Sequence, residues 1–129
     1  MISFQRLFES FMHAFRGIST ALEQEQSFRV QVIIAFFVSL AAFYFDLSRW
    51  EWIVISFLIG SVLTLELINS VFERLSDMVK PRLHPLVREL KDIMAAAVFL
   101  VSLLSLFVGG LIFWPYVHTL AITHLQDIL

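Results

Sequence analysis

Three uncharged apolar runs, at residues 30–45, 52–65 and 93–117, decide most of what this chain can fold into. A helix that crosses the hydrocarbon core of a bilayer needs roughly 20 mainly apolar residues, with a lower limit near 17. The third run meets that need alone. The first meets it with Phe28 and Arg29 extending it toward the interface, and the second only if its helix continues past Glu66. Composition decides between a buried core and a lipid-facing surface. The 129 residues are 59% hydrophobic and 16% charged, against roughly 45–50% and 25% in a soluble domain. Lipid can cover apolar surface that so short a chain could not bury in itself. The expected fold is therefore all-α and integral to the membrane, as a single membrane domain over 1–129. With no Cys there is neither a disulfide framework nor a thiolate metal site. A net charge of −2 speaks against nucleic acid as a partner.

The segments between the runs complete the outline. Phe4, Leu7, Phe8, Phe11, Phe15, Ile18 and Leu22 keep i, i+3/i+4 spacing, opposite Gln5, Arg6, Glu9, Ser10, His13 and Arg16. Residues 1–24 thus read as an amphipathic helix lying in the membrane surface. Membrane helices follow at 28–46, at 49–75 with a cytoplasmic extension, and at 85–117 with a cytoplasmic start. Ser48-x-x-Glu51 reads as a capping box opening the second of them. Ser56, Gly60 and Thr64 recur every four residues, a face for close helix packing. Pro85 suits the first turn of the third span, and Pro115 is expected to end or kink it, leaving 118–129 as an extracytoplasmic tail.

Orientation follows from the basic residues. Arg6, Arg16 and Arg29 precede the first span, Arg74, Lys80, Arg82, Arg88 and Lys91 lie between the second and third, and Arg49 stands alone in the remaining loop. The positive-inside rule then places the N-terminus and the 74–91 connection in the cytoplasm and the C-terminus outside.

Against that background one stretch is out of character. Glu66, Asn69, Ser70, Glu73 and Asp77 continue the apolar second span, and on a helix they share about a third of the circumference. Carboxylates at a membrane edge are costly unless cations, partners or water compensate them. The topology also brings Glu25, Lys91 and Asp92 near the same cytoplasmic plane, where ATP is available. No phosphate-binding glycine loop, nucleophile elbow or H-E-x-x-H motif occurs. Hard carboxylate oxygens suit Mg²⁺, which binds through one or two carboxylates together with substrate phosphates. Phosphoryl transfer needs positioning, charge neutralisation and a group to accept the hydroxyl proton. Each group also has an ordinary use: Glu73 could pair with Arg74, Asp77 with Lys80, and Arg88 with Asp92 at i, i+4.

The stretch Glu66-Leu67-Ile68-Asn69-Ser70-Val71-Phe72-Glu73, with Asp77 four residues on, resembles the signature Glu-Leu-x-Asn-Ser/Thr-Ala-Ile/Val-Glu of the small bacterial membrane lipid kinases. These are the prokaryotic diacylglycerol and undecaprenol kinases. Phe15-Arg16-Gly17, Glu25-x-x-Phe28-Arg29, His84-Pro85-Leu86 and Lys91-Asp92-Ile93 carry the resemblance over residues 4–114. It implies a surface helix, three transmembrane helices and a homotrimer with active sites shared between subunits, in the bacterial inner membrane. It also implies transfer of the γ-phosphoryl group of MgATP to a lipid alcohol. Glu66 would be the general base, with Asn69 holding the reacting groups. Glu25 and Glu73 would be Mg²⁺ ligands, Lys91 would meet the phosphates, and Arg6, Asp77, His84 and Asp92 would belong to the nucleotide side. Val71, Phe72, Ala96 and His13 depart from the family's usual residues. The His84-Pro85-Leu86 connection looks more like the undecaprenol branch, so undecaprenol is expected ahead of diacylglycerol. The competing expectations are a non-enzymatic channel or scaffold, whose polar stripe lines a water path, and an inactive member of the kinase family.

Overall fold

The computed structural model describes residues 3–79 and 84–126, except the side chains of Val79, His84 and Leu125. Lys80 and Arg82, which contribute to the expected charge of the connection, lie outside the described residues, as do residues 1–2, 81, 83 and 127–129. The described residues form four α-helices: α1 (Phe4–Gln24), α2 (Gln26–Tyr44), α3 (Arg49–Val79) and α4 (His84–Gln126). Helices α2, α3 and α4 are each long and apolar enough to cross a membrane. The fold is thus all-helical, with one further helix ahead of three candidate spans.

Helix α1 buries only Ala21, and its aromatic face is bare, with Phe4 83%, Phe8 67% and Phe15 70% exposed. A surface of that kind is unfavourable in water and suits the headgroup–acyl boundary. Glu25 alone separates α1 from α2, in an extended conformation. Arg29, one turn into α2, donates from Nη1 to the carbonyls of Leu22 (3.1 Å) and Glu23 (2.8 Å), satisfying acceptors that the end of α1 would leave unpaired.

The α2–α3 turn shows why the chain reverses where it does. The Leu47 amide bonds to the Ala42 carbonyl and the Asp46 amide to that of Phe43, the two bonds of a Schellman ending. Asp46 sits at φ 50°, the left-handed position where a short polar side chain is better tolerated than a bulky one. Leu47 then folds back onto Ala42 and, with Ile55, forms a buried cluster on which Val38, Phe45, Phe113 and Tyr116 pack. Ser48 and Glu51 close the capping box: the Ser48 amide (2.8 Å) and hydroxyl (2.6 Å) both donate to Glu51 Oε2. The Tyr116 hydroxyl donates to the same oxygen at 2.8 Å and ties α4 to the start of α3.

Helix α4 does not stop at Pro115 but runs through it to Gln126. Proline forfeits one bond, to the carbonyl four residues back at Leu111. Where water is scarce, every other backbone group still has most to gain from staying helical, so one missing bond does not end the helix. Ser56, Gly60 and Thr64 all face outward, so this small-residue face is not used between helices of the same chain.

Candidate functional site

The site is built around Glu66, whose side chain is buried, the residue being 4% exposed. Its place on α3 follows from helical register. Val62, Glu66 and Ser70 recur every four residues and all face inward, Val62 into the core and the other two at the polar end. Ser70 spends its hydroxyl on the Glu66 backbone carbonyl at 3.0 Å, leaving the Glu66 carboxylate free for side-chain partners. Ser27, in the first turn of α2, lies beside that carboxylate, and Glu25 and Glu73 are close enough to act on it electrostatically. Three carboxylates, two on α3 and one at the kink between α1 and α2, therefore face one region.

A cation is supplied from within the chain. Arg74 Nη2 donates to Glu25 Oε1 at 3.0 Å, across forty-nine positions of sequence. The kink at Glu25 makes this contact possible: its extended backbone turns the side chain out of the α1–α2 line and toward α3. Farther along α3, Asp77 Oδ1 lies 4.0 Å from Lys91 Nζ in the first turns of α4. Arg74 thus bridges to Glu25 rather than to its neighbour Glu73, and Lys91 reaches Asp77 across two helices.

Of the residues singled out in the sequence, Glu25, Glu66 and Glu73 come together, and Asp77 and Lys91 meet as a second group nearby on α3. Asn69 is half-buried on the same helix. Arg6 and Asp92 are exposed and make no ion pair among the described residues, so this single chain does not draw them into the site. The His84 side chain lies outside the described residues. Two participants were not foreseen, Ser27 and Arg74. Ser27 carried no signal beyond lying two positions after Glu25. Arg74 had one: a guanidinium beside an acidic stripe at a membrane edge needs a carboxylate, though the sequence does not say which.

Among the described residues no three His, Asp or Glu side chains stand ready as a complete metal cage. The donor set still fits Mg²⁺, which completes its octahedron with phosphate oxygens and water and takes few protein ligands. Glu25 and Glu73 offer hard oxygens of the right kind, and Glu25 would first have to leave Arg74.

Comparison with known proteins identifies the family. The family model for prokaryotic diacylglycerol kinase matches residues 12–113, which include α2, α3 and the larger part of α4. The undecaprenol kinase of Bacillus subtilis (strain 168) is 38% identical over 85% of this chain and 89% of its own length. Two diacylglycerol kinases of Helicobacter pylori, from strains J99 and 26695, are 31% and 32% identical over 88% of this chain and 82% of theirs.

Proposed function

The chain belongs to the prokaryotic diacylglycerol kinase family, a family of membrane lipid kinases, and from that membership we propose that it phosphorylates undecaprenol in preference to diacylglycerol. ATP is the co-substrate that such a kinase uses. The observation that carries the reading is the buried Glu66, with Ser27, Glu25 and Glu73 beside its carboxylate at the polar end of a membrane helix. Undecaprenol is favoured by the His84-Pro85-Leu86 connection and by the 38% identity to a protein named for that substrate.

In this reading Glu66 accepts the proton of the lipid hydroxyl as its oxygen attacks the γ-phosphorus of ATP and ADP departs with the bridging oxygen, and Asn69, one turn along the same face, orients the reacting groups. Ser27 holds the Glu66 carboxylate toward the lipid. Glu25 and Glu73 would hold Mg²⁺, which would neutralise charge on the phosphates. Lys91 and Asp77 lie where the nucleotide's phosphates and its remaining parts enter from the cytoplasm, and Arg6, His84 and Asp92 complete that side. The basic residues put the N-terminus and the α3–α4 connection in the cytoplasm, with the C-terminus outside the inner membrane. A homotrimer would let Arg6 and Asp92 of one copy serve a neighbour's site, and the outward Ser56–Gly60–Thr64 face offers a surface for that contact.

The test is phosphoryl transfer from labelled ATP by purified protein offered undecaprenol or diacylglycerol with Mg²⁺. A faster rate per enzyme on undecaprenol supports the proposal, and a preference for diacylglycerol overturns the substrate assignment. Glu66→Gln should lower turnover by about 10²–10⁴-fold, the usual weight of a positioned general base, with an unchanged elution volume. Retained turnover removes Glu66 from that role.

A further inference from the structure

Arg74 stands in the middle of the candidate site, yet it belongs to none of the motifs that mark that site. By helical rise it lies about 12 Å along α3 from Glu66 and about 4.5 Å short of Asp77. It therefore separates the proposed base from the Asp77–Lys91 pair, where the nucleotide is proposed to enter. Glu25, Glu66 and Glu73 share the region on its near side. Its guanidinium is bonded to one of the three, Glu25, through Oε1 at 3.0 Å.

That bond is built to be given up. Arginine holds a carboxylate best as a fork, with two N–H groups on two oxygens. Here a single nitrogen, Nη2, meets a single oxygen, and the other guanidinium N–H groups make no hydrogen bond among the described residues. The Arg74 side chain is 44% exposed and that of Glu25 21%, and an accessible single contact of this kind contributes little to stability. Nor does the kink depend on it. The Glu25 amide bonds to the Ala21 carbonyl at 2.9 Å, and the Glu25 carbonyl accepts from the Arg29 amide at 3.2 Å. Arg29 Nη1 secures the same turn through the carbonyls of Leu22 and Glu23. The backbone of Glu25 is thus held in place without Arg74.

If Glu25 is a metal ligand, the guanidinium loses its acceptor as the ion arrives, and it needs another. Phosphate oxygens are the acceptors that arrive at the same moment, since Mg²⁺ is bound together with substrate phosphates. The planar guanidinium fork matches phosphate as well as it matches carboxylate, whereas Lys91 offers only a point charge. Moving from Glu25 to phosphate also keeps the cation from being left beside Mg²⁺ with no anion of its own. Its unused donors and its place between Glu66 and Asp77 suit the exchange.

We propose that Arg74 is a phosphate-binding residue that holds Glu25 until the nucleotide comes: it yields that carboxylate to Mg²⁺ and turns to a non-bridging oxygen of the nucleotide's phosphates. The inference rests on the lipid-kinase reading above, with Glu25 as a metal ligand. It adds a nucleotide contact outside the motifs and makes metal and nucleotide each favour the binding of the other.

The test compares the full chain in lipid nanodiscs with Arg74→Gln and Arg74→Lys in two equilibrium titrations. One uses Mn²⁺ alone, read by electron paramagnetic resonance; the other uses the non-hydrolysable nucleotide AMPPNP with excess Mg²⁺, read by dialysis of labelled nucleotide. Arg74→Gln should tighten Mn²⁺ a few-fold, because the competitor for Glu25 is gone. It should weaken AMPPNP by roughly three- to tenfold, since a charge-assisted bond is worth about tenfold or more and the freed Glu25 offsets a few-fold of that. Arg74→Lys keeps the charge without the fork, so it should weaken AMPPNP less, and it serves alone should the glutamine variant not assemble. Opposite signs are the signature, because loss of a mere fastener would disturb the carboxylates and weaken both ligands. AMPPNP affinity unchanged or tightened in both variants would overturn the phosphate contact, and Mn²⁺ affinity unchanged or weakened in Arg74→Gln would overturn the hold on Glu25. Unmutated protein that binds no AMPPNP and phosphorylates neither undecaprenol nor diacylglycerol would sink the kinase reading and this inference with it. Unmutated protein that does both, beside variants indistinguishable from it, would sink the Arg74 assignment alone.

Discussion

At the scale of single residues, the balance between Glu25, Glu66, Glu73 and Arg74 is the most informative feature. One guanidinium serves a group of three carboxylates, and it is spent on Glu25 at 3.0 Å. If Glu25 holds Mg²⁺, Arg74 competes with the ion for that carboxylate in the nucleotide-free protein. Arg74→Gln should then bind Mn²⁺ a few-fold more tightly without nucleotide, a modest change because the pair is partly solvent-screened. Electron paramagnetic resonance of free Mn²⁺ during a titration reads this directly; unchanged affinity would mean that the pair only fastens α3 to the α1–α2 kink. In the proposed reading Asp77 and Lys91, 4.0 Å apart and both partly accessible, would exchange each other for charged groups of a nucleotide without a large desolvation cost.

At the scale of elements, the turn between α2 and α3 concentrates several stabilising features. It combines a Schellman ending, a capping box and the seat of Leu47 in the buried cluster. Asp46 occupies a left-handed position that costs an L-residue roughly 1–2 kcal/mol, less for Asp than for most. Asp46→Gly should therefore raise thermal stability in detergent by up to about 1 kcal/mol, read as a higher unfolding midpoint with unchanged turnover. Leu47→Ala should cost about 2–3 kcal/mol by opening a cavity beside Ala42 and Ile55. A midpoint that does not move in Leu47→Ala would show that the cluster contributes little to holding the helices together. Pro115 is the instructive element-level surprise: a residue that ends soluble helices is carried through α4, because an environment poor in water leaves the backbone no better alternative.

At the scale of the whole molecule, the three apolar helices are arranged with much of their surface outward. Phe36, Phe57, Leu106 and Trp114 are each at least 60% exposed, as lipid-facing side chains are. Ser56, Gly60 and Thr64 form an outward strip of small residues amid this surface, and a Cβ on Gly60 meets nothing within the chain. If copies of the chain assemble through that strip, Gly60→Leu should lower the oligomeric state seen by crosslinking in nanodiscs while leaving helix content intact. An unchanged crosslinking pattern would send the search for the interface to another face.

The sequence by itself determined the solvent, the helices and the family. Hydropathy and 3.6-residue periodicity are local properties, so three spans, an aromatic surface helix, the Ser48–Glu51 box and the acidic stripe from Glu66 to Asp77 could be read directly. It also indicated which end of the bundle carries the charge. It could not choose partners for that charge. Ser27 with Glu66, Arg74 with Glu25 and Lys91 with Asp77 are set by how α2, α3 and α4 rotate about their axes and where the chain reverses. Those rotations depend on the packing of Ala42, Leu47 and Ile55 at the opposite end of the bundle. The cleft of about 450 Å³ lined by α2, α3 and α4 was equally invisible, because a void belongs to no residue and exists only where separate helices come together.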